Sequence, residues 1–176
     1  EEMAEILEKG LNAKVVSIGR IAGQYGKPRS AELERVGGSL IPVFRGDNVH
    51  AIGRTAEDRK TNPERLLEGV RLARKNLEMI DSVLGSTDSN HIDRFYASHE
   101  CLILPLEEAM TRVTDSGEYF NSGGHFLWVG NRTNDPDKAH IEYLRGLENP
   151  IGIKVSDMIS PQELIAVVKR LNPRAQ

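Results

Sequence analysis

Three cations and a hydroxyl follow directly on a short apolar run near the start of this chain. Val15-Val16-Ser17-Ile18 leads into Arg20-Ile21-Ala22-Gly23-Gln24-Tyr25-Gly26-Lys27-Pro28-Arg29-Ser30. A short apolar run bounded by glycine reads as a buried strand. Gly23 and Gly26 let the backbone approach a ligand closely or turn with positive φ. Arg20, Lys27 and Arg29 neutralise phosphate or carboxylate, the arginines through a planar fork. The Ser30 hydroxyl donates to a phosphate oxygen. The chemistry these types supply is anion binding at the end of a strand. The bland alternatives are a structural ion pair for Arg20 and a solvated charged loop for Lys27, Arg29 and Ser30. The glycine spacing beside Arg20 favours phosphate.

Further polar residues close other apolar runs. His99 and Glu100 end Phe95-Tyr96-Ala97-Ser98, Asn131 and Arg132 follow Phe126-Leu127-Trp128-Val129-Gly130, and Lys154 follows Ile151-Gly152-Ile153. A lysine in an apolar strand is costly to bury unpaired, which predicts an anion beside Lys154. Glu100 alone reads as a solvated or salt-bridged carboxylate, and His99 as a hydrogen-bonded core histidine. His-Glu-Cys invites a metal, but alternate strand residues point to opposite faces. Cys101 is therefore expected to be a small buried hydrophobe, and Trp128, mid-strand, a core side chain.

The elements that must position these residues alternate along the chain. Helices are predicted over Glu1–Leu11, from Asn62 to Leu84, over Pro105–Val113, over Ala139–Leu147 and from Ser160 to Leu171. Strands are predicted over Val15–Gly19, Phe95–Ser98, Phe126–Gly130 and Ile151–Val155. In the long helix Leu66, Val70, Ala73, Leu77, Ile80 and Leu84 recur at steps of three and four. Thr61 with Glu64, and Ser160-Pro161-Gln162-Glu163, read as capping boxes. Gln24 to Thr61 is expected to be a long polar connection, Gly85–Asn90 a loop, and Thr114–Gly124 a turn-rich stretch. Strand–helix alternation argues for a parallel α/β sheet with crossover helices. Arg20, Glu100, Asn131, Arg132 and Lys154 then gather at the carboxyl ends of its strands. Both a (β/α)8 barrel and an open doubly wound sheet place ligands there.

Bulk properties narrow the class. The chain has 176 residues, a net charge of −3, 39% hydrophobic and 28% charged residues, and one cysteine. There is no basic footprint for nucleic acid and no apolar run near the roughly 18 residues of a membrane helix. A lone cysteine suits a reducing cytoplasm. The chain opens on Glu1 without a methionine and ends just past a predicted helix, so it is expected to be part of a longer protein.

Four segments, in order, are similar to the signatures of class II 3-deoxy-D-arabino-heptulosonate 7-phosphate (DAHP) synthases. They are Arg20–Ser30, Tyr96-Ala97-Ser98-His99-Glu100, His125-Phe126-Leu127-Trp128-Val129-Gly130-Asn131-Arg132-Thr133, and Asn149-Pro150-Ile151-Gly152-Ile153-Lys154. The resemblance implies a (β/α)8 TIM-type barrel, of which residues 1–176 supply four consecutive β/α units, strands two to five. It implies condensation of phosphoenolpyruvate with erythrose 4-phosphate at the entry to the shikimate pathway, by a cytoplasmic homo-oligomer.

By the same resemblance Arg20, Asn131, Arg132 and Lys154 bind phosphoenolpyruvate, and Lys27, Arg29, Ser30 and Arg132 bind erythrose 4-phosphate. Arg20, Glu100 and Lys154 form the catalytic set. The family's divalent metal, manganese, cobalt or similar, is expected to have no ligand in this chain: its Cys would precede Glu1, and its His, Glu and Asp would follow Gln176. The family pattern usually has an acidic residue where Asn131 stands, which keeps open a non-catalytic, synthase-like regulatory or assembly partner. Long members of the family carry a helical pair between the two segments ending at Ser30 and beginning at Tyr96. That pair contributes to inhibitory sites for aromatic amino acids, and here the span has room for only one marked helix.

Overall fold

The computed structural model describes residues 2–21, 26–84 and 95–173. Gly23, Gln24 and Tyr25 of the first segment, and the expected loop Gly85–Asn90, lie outside the described residues. The architecture is mixed α/β around one parallel four-stranded sheet. Its strands are β1 (Ser17–Arg20), β4 (Phe95–Glu100), β7 (Phe126–Val129) and β8 (Ile151–Ile153), in that spatial order. Two antiparallel hairpins stand outside the sheet: β2 (Leu33–Val36) with β3 (Ser39–Pro42), and β5 (Thr111–Val113) with β6 (Tyr119–Asn121). The helices are α1 (Glu2–Leu11), α2 (Glu64–Leu84), α3 (Leu104–Met110), α4 (Ala139–Leu144) and α5 (Pro161–Leu171).

One face of the sheet is packed by helices. The α2 stripe delivers Ala73, Leu77 and Ile80 onto Ile21, Phe95 and Ala97. Farther along, Ile141 and Leu144 of α4 and Val167 of α5 close over Cys101, Leu127 and Val129, with Ile151 and Ile153 against them. The pleat sends Phe95, Ala97, Leu127, Val129, Ile151 and Ile153 to this helix-covered side, and every alternate residue to the other. At α5 the expected capping box forms: Ser160 Oγ accepts from the Glu163 backbone N–H, and the Glu163 carboxylate accepts from the Ser160 backbone N–H.

Several expectations are corrected. The first strand runs Ser17–Arg20 rather than Val15–Gly19, and it is covered on one side only: Val16 and Ile18 are 55% and 48% exposed. The long polar connection contains the β2–β3 hairpin. Gly37 and Gly38, with φ of 55° and 85°, make the two-residue turn whose twist suits such a hairpin. The helix expected over Pro105–Val113 stops at Met110, because β-branched Thr111 and Val113 pair in register with Asn121 and Tyr119. At the start of α2 the expected Thr61–Glu64 capping box gives way to Asn62, whose Oδ1 accepts from the Glu64 N–H at 3.0 Å. The strands over Phe126–Gly130 and Ile151–Val155 end at Val129 and Ile153, the helix over Ala139–Leu147 ends at Leu144, and the strand from Phe95 runs on to Glu100.

Candidate functional site

Strand register decides which side chains share the sheet's uncovered face. Arg20 lies opposite Ser98, Ser98 opposite Phe126, Glu100 opposite Trp128, and Trp128 opposite Gly152. Paired residues of neighbouring strands project to the same side. Arg20, Ser98, Glu100, Trp128 and Gly130 therefore converge on this face at the carboxyl rim of the sheet.

Arg20 is half-buried. Its Nη2 donates to the Gly26 carbonyl at 3.1 Å, and its Cζ stands 5.3 Å from the centre of the Trp128 ring. Glu100 leans over Gly130: a Cβ added there would fall inside van der Waals contact with Glu100 Oε1. The absence of a side chain at 130 is what lets the carboxylate occupy this position. Trp128 was expected in the core by its mid-strand place. It stands instead on the uncovered face, half-buried.

Past β7 the chain turns sharply. The Thr133 N–H donates to the Gly130 carbonyl at 3.0 Å, and Thr133 Oγ1 accepts from the Gly130 N–H at 3.2 Å. This side-chain-locked turn presents Asn131 and Arg132 to solvent. Arg132 then reaches across to the loop after β1, where its Nε and Nη2 both donate to Ser30 Oγ, at 3.1 and 2.5 Å. Two residues 102 positions apart are joined there. Thr133 was not singled out by sequence; a hydroxyl three residues after a strand-end glycine is the signal that could have found it.

The remaining candidates are placed less centrally. Lys27 is half-buried, and its backbone N–H donates to the Arg45 carbonyl at 2.7 Å, tying the loop to the segment after β3. Arg29 is exposed, with Nε donating to the Phe44 carbonyl at 2.8 Å, so part of its fork braces the hairpin. Asn131 borders a hollow of about 310 Å³ with Asn134, Ser156 and Glu163. Lys154 lies one residue beyond β8, anchored by its N–H to the Val129 carbonyl at 2.9 Å. Its side chain is exposed, so the burial argument for an anion beside it does not hold in this chain: the strand stops before it and no described element covers that side.

His99 points to the helix side, as a core histidine should. It is 6% exposed, and its Nε2 lies 2.9 Å from Oε2 of Glu107, itself 2% exposed. Asn121 Nδ2 donates to the same carboxylate oxygen at 2.8 Å, and Tyr143 donates to the Glu107 carbonyl at 3.0 Å. This network, which spacing alone does not reveal, pins α3, the β5–β6 hairpin and α4 beneath the strand that carries Glu100. Cys101 is fully buried on the helix side, away from Glu100. Burial, and then the Glu107 and Glu100 charges, push its thiol well above the ordinary range. Among the described residues no three of His, Cys, Asp and Glu stand together as a metal site. A cavity of about 380 Å³ lies between α2 and α3, lined by Ala73, Leu77, His99 and Leu106 and reaching Gly26 and Glu100; neither Ser30 nor Arg132 lines it. No described helix is long and apolar enough to cross a membrane.

Comparison with known proteins adds an independent line. The Class-II DAHP synthetase family matches residues 1–92 and 84–176. Among curated proteins, the phospho-2-dehydro-3-deoxyheptonate aldolase of Neurospora crassa is 29% identical over 236 positions, covering 99% of this chain and 49% of its own length. The enzyme of that name from Streptomyces coelicolor is 29% identical over 221 positions, with the same coverages. A probable chloroplastic one from Catharanthus roseus is 33% identical over 196 positions, covering 93% of this chain and 39% of its own length. The chain spans about half the length of the first two. The 236 positions aligned with the Neurospora protein exceed the 176 residues here, so at least 60 of them have no counterpart in this chain. The two family matches meet at residues 84–92, directly after α2.

Proposed function

The chain belongs to the class-II DAHP synthetase family, and from that premise we propose that the protein it comes from is a 3-deoxy-7-phosphoheptulonate synthase. The reaction joins C3 of phosphoenolpyruvate to the aldehyde carbon of erythrose 4-phosphate. Water adds at C2 and inorganic phosphate leaves. In this reading the four strands are consecutive strands of a (β/α)8 barrel. Their spatial order follows their sequence order with no reversal, as barrel closure needs; a doubly wound sheet reverses order at its switch point. Exposed Ile18, with half-buried Phe126 and Trp128 on the same face of the sheet, fits an interior that further strands would enclose.

The observation that carries the reading is the Arg132–Ser30 contact. It brings a cation from the rim of β7 onto a hydroxyl from the loop after β1, the two places where the substrates' phosphates would lie. Arg20, Arg132 and Lys154, with the backbone at Asn131, hold the carboxylate and phosphate of phosphoenolpyruvate. Ser30, Lys27 and Arg29 take the phosphate of erythrose 4-phosphate, and Arg132 sits between the two substrates. Glu100, held at the rim over Gly130, orients the water that adds at C2. These residues act by positioning and by electrostatic stabilisation of clustered anions. The family's metal supplies Lewis-acid activation of the aldehyde when bound, through residues outside this chain.

The Asn131 amide carries a second reading, a non-catalytic synthase-like partner that keeps anion binding without turnover. The test is phosphate release from phosphoenolpyruvate by the full-length protein supplied with a divalent cation. Release that requires erythrose 4-phosphate supports the enzyme; binding of phosphoenolpyruvate with no release supports the partner.

A further inference from the structure

We propose that Trp128 is a positioning residue for phosphoenolpyruvate binding: its ring is the platform that holds the Arg20 guanidinium over the sheet. This rests on the functional reading above and goes beyond it, since Trp128 has no part in the binding set given there.

The geometry starts from register. Arg20 ends β1 and Trp128 lies on β7, with β4 between them. Two inter-strand spacings make roughly 9–10 Å of backbone separation. Arg20 can cross β4 only where that strand is low. The residue opposite it is Ser98, whose Oγ donates to the Gly19 carbonyl at 3.0 Å and so lies down against β1. The guanidinium passes over this small side chain and ends 5.3 Å from the indole centre. Its Nη2 also donates to the Gly26 carbonyl at 3.1 Å. The ring thus supports one side of a cation whose Nη2 is fastened to the loop after β1. A planar, weakly hydrated guanidinium on an aromatic face is a favourable pair. It is also preorganised, so a carboxylate entering the rim does not have to order it.

A core role and a positioning role predict different behaviour. If Trp128 only fills space, any apolar replacement of similar bulk suffices. If it is a platform for a cation, the π-face matters. Full-length wild type, Trp128→Phe, Trp128→Leu and Arg20→Lys, with the Trp128→Leu/Arg20→Lys double variant, are compared by calorimetric binding of phosphoenolpyruvate and by steady-state kinetics. Trp128→Phe should bind within about threefold of wild type. Trp128→Leu should weaken binding about three- to thirtyfold and raise KM to match, with kcat little changed, the pattern of lost uniform binding. The double variant should be no weaker than Arg20→Lys alone by more than about threefold. If Trp128→Leu does not fold, Trp128→Met replaces it in the same comparison. Equal affinities for the phenylalanine and aliphatic variants, or additive losses in the double variant, overturn the proposal. A wild type that binds phosphoenolpyruvate without condensing it contradicts the functional reading alone and leaves the binding series to decide this one. A wild type that binds no phosphoenolpyruvate overturns both.

Discussion

Arg132 donates through two of its nitrogens to the single hydroxyl oxygen of Ser30, which stands 102 positions earlier in the chain. A guanidinium fork is built for the two oxygens of an oxyanion. Here it closes on one neutral oxygen, an arrangement that a phosphate group, with three acceptor oxygens, would replace while keeping both residues as ligands.

Removing either partner should therefore weaken the phosphorylated aldehyde more than it alters the fold. Both side chains are exposed, so their mutual hydrogen bonds contribute little to stability. In the full-length protein, Ser30→Ala should raise KM for erythrose 4-phosphate about ten- to hundredfold, on about 1.5–3 kcal/mol for a hydrogen bond to a charged group. The unfolding midpoint should stay within experimental error. Steady-state kinetics and urea unfolding on the same preparations check this. A shifted midpoint with unchanged KM would make the contact structural.

Lys154→Ala is expected to weaken phosphoenolpyruvate about ten- to hundredfold, since hydrogen bonds to charged groups contribute about 1.5–3 kcal/mol in a partly dry site. The lysine is exposed in this chain, and a completed barrel would enclose it. An effect of less than twofold would place Lys154 outside the site.

The buried network behaves differently. Glu107→Ala removes the carboxylate that meets His99 Nε2 and Asn121 Nδ2. It strands the His99 ring nitrogen in a buried site, at about 1–3 kcal/mol for an unsatisfied group, while Asn121 Nδ2 keeps the Tyr143 hydroxyl as a partner at 3.0 Å. Urea unfolding should show the loss as a lower midpoint. Glu107→Gln, which keeps an acceptor, should lose less. Equal losses would mean that the pairing contributes little beyond volume.

Cys101 sets a pH and reactivity prediction. Its folded pKa is raised, chiefly by burial. Above the thiol's ordinary value of about 8.5 the unfolded chain therefore releases a proton that the folded chain keeps. The unfolded state then binds fewer protons, and by linkage stability falls as pH rises through this range. Cys101→Ala should remove this component of the alkaline loss. In native protein the thiol at 101 should react with an aromatic disulfide reagent only at the rate of unfolding, followed by peptide mapping. Fast native labelling of Cys101 would contradict its placement.

How much of this was legible in the sequence follows from what each signal depends on. The α2 stripe and the α5 capping box are local and periodic, and both form as read. The four sheet strands were found because apolar runs ended in polar residues. Their edges shifted by one or two residues because pairing partners, not composition, decide where a strand stops. The two hairpins were missed: Gly37-Gly38 lay in a stretch read as a polar connection, and the turn at Gly117 was read without strands because Thr111–Val113 was assigned to the preceding helix. Trp128 was misplaced because mid-strand position cannot say which face is covered. The Arg132–Ser30 contact depends on register across three strands and a locked turn at Thr133, none of which is written in local sequence.

The relatives' alignments bear on control by end products. The Neurospora alignment leaves at least 60 positions without counterpart here, and the family matches meet just after α2. An effector shifts activity only by binding two states unequally. If the missing positions hold the inhibitor-binding helical pair, the full-length enzyme should respond weakly or not at all to phenylalanine and tryptophan, alone or combined. Strong inhibition abolished by substitutions between Asn62 and Asn90 would show that the site survives in this chain.

The proposed function makes the uncovered carboxyl rim of this sheet an anion site for phosphoenolpyruvate. The most direct measurement is calorimetric titration of phosphoenolpyruvate into the full-length wild type, Arg20→Ala and Arg132→Ala, each shown folded by circular dichroism. One phosphoenolpyruvate should bind per wild-type chain, with affinity lost by about ten- to hundredfold in each variant. Wild-type affinity retained in both variants would contradict that assignment.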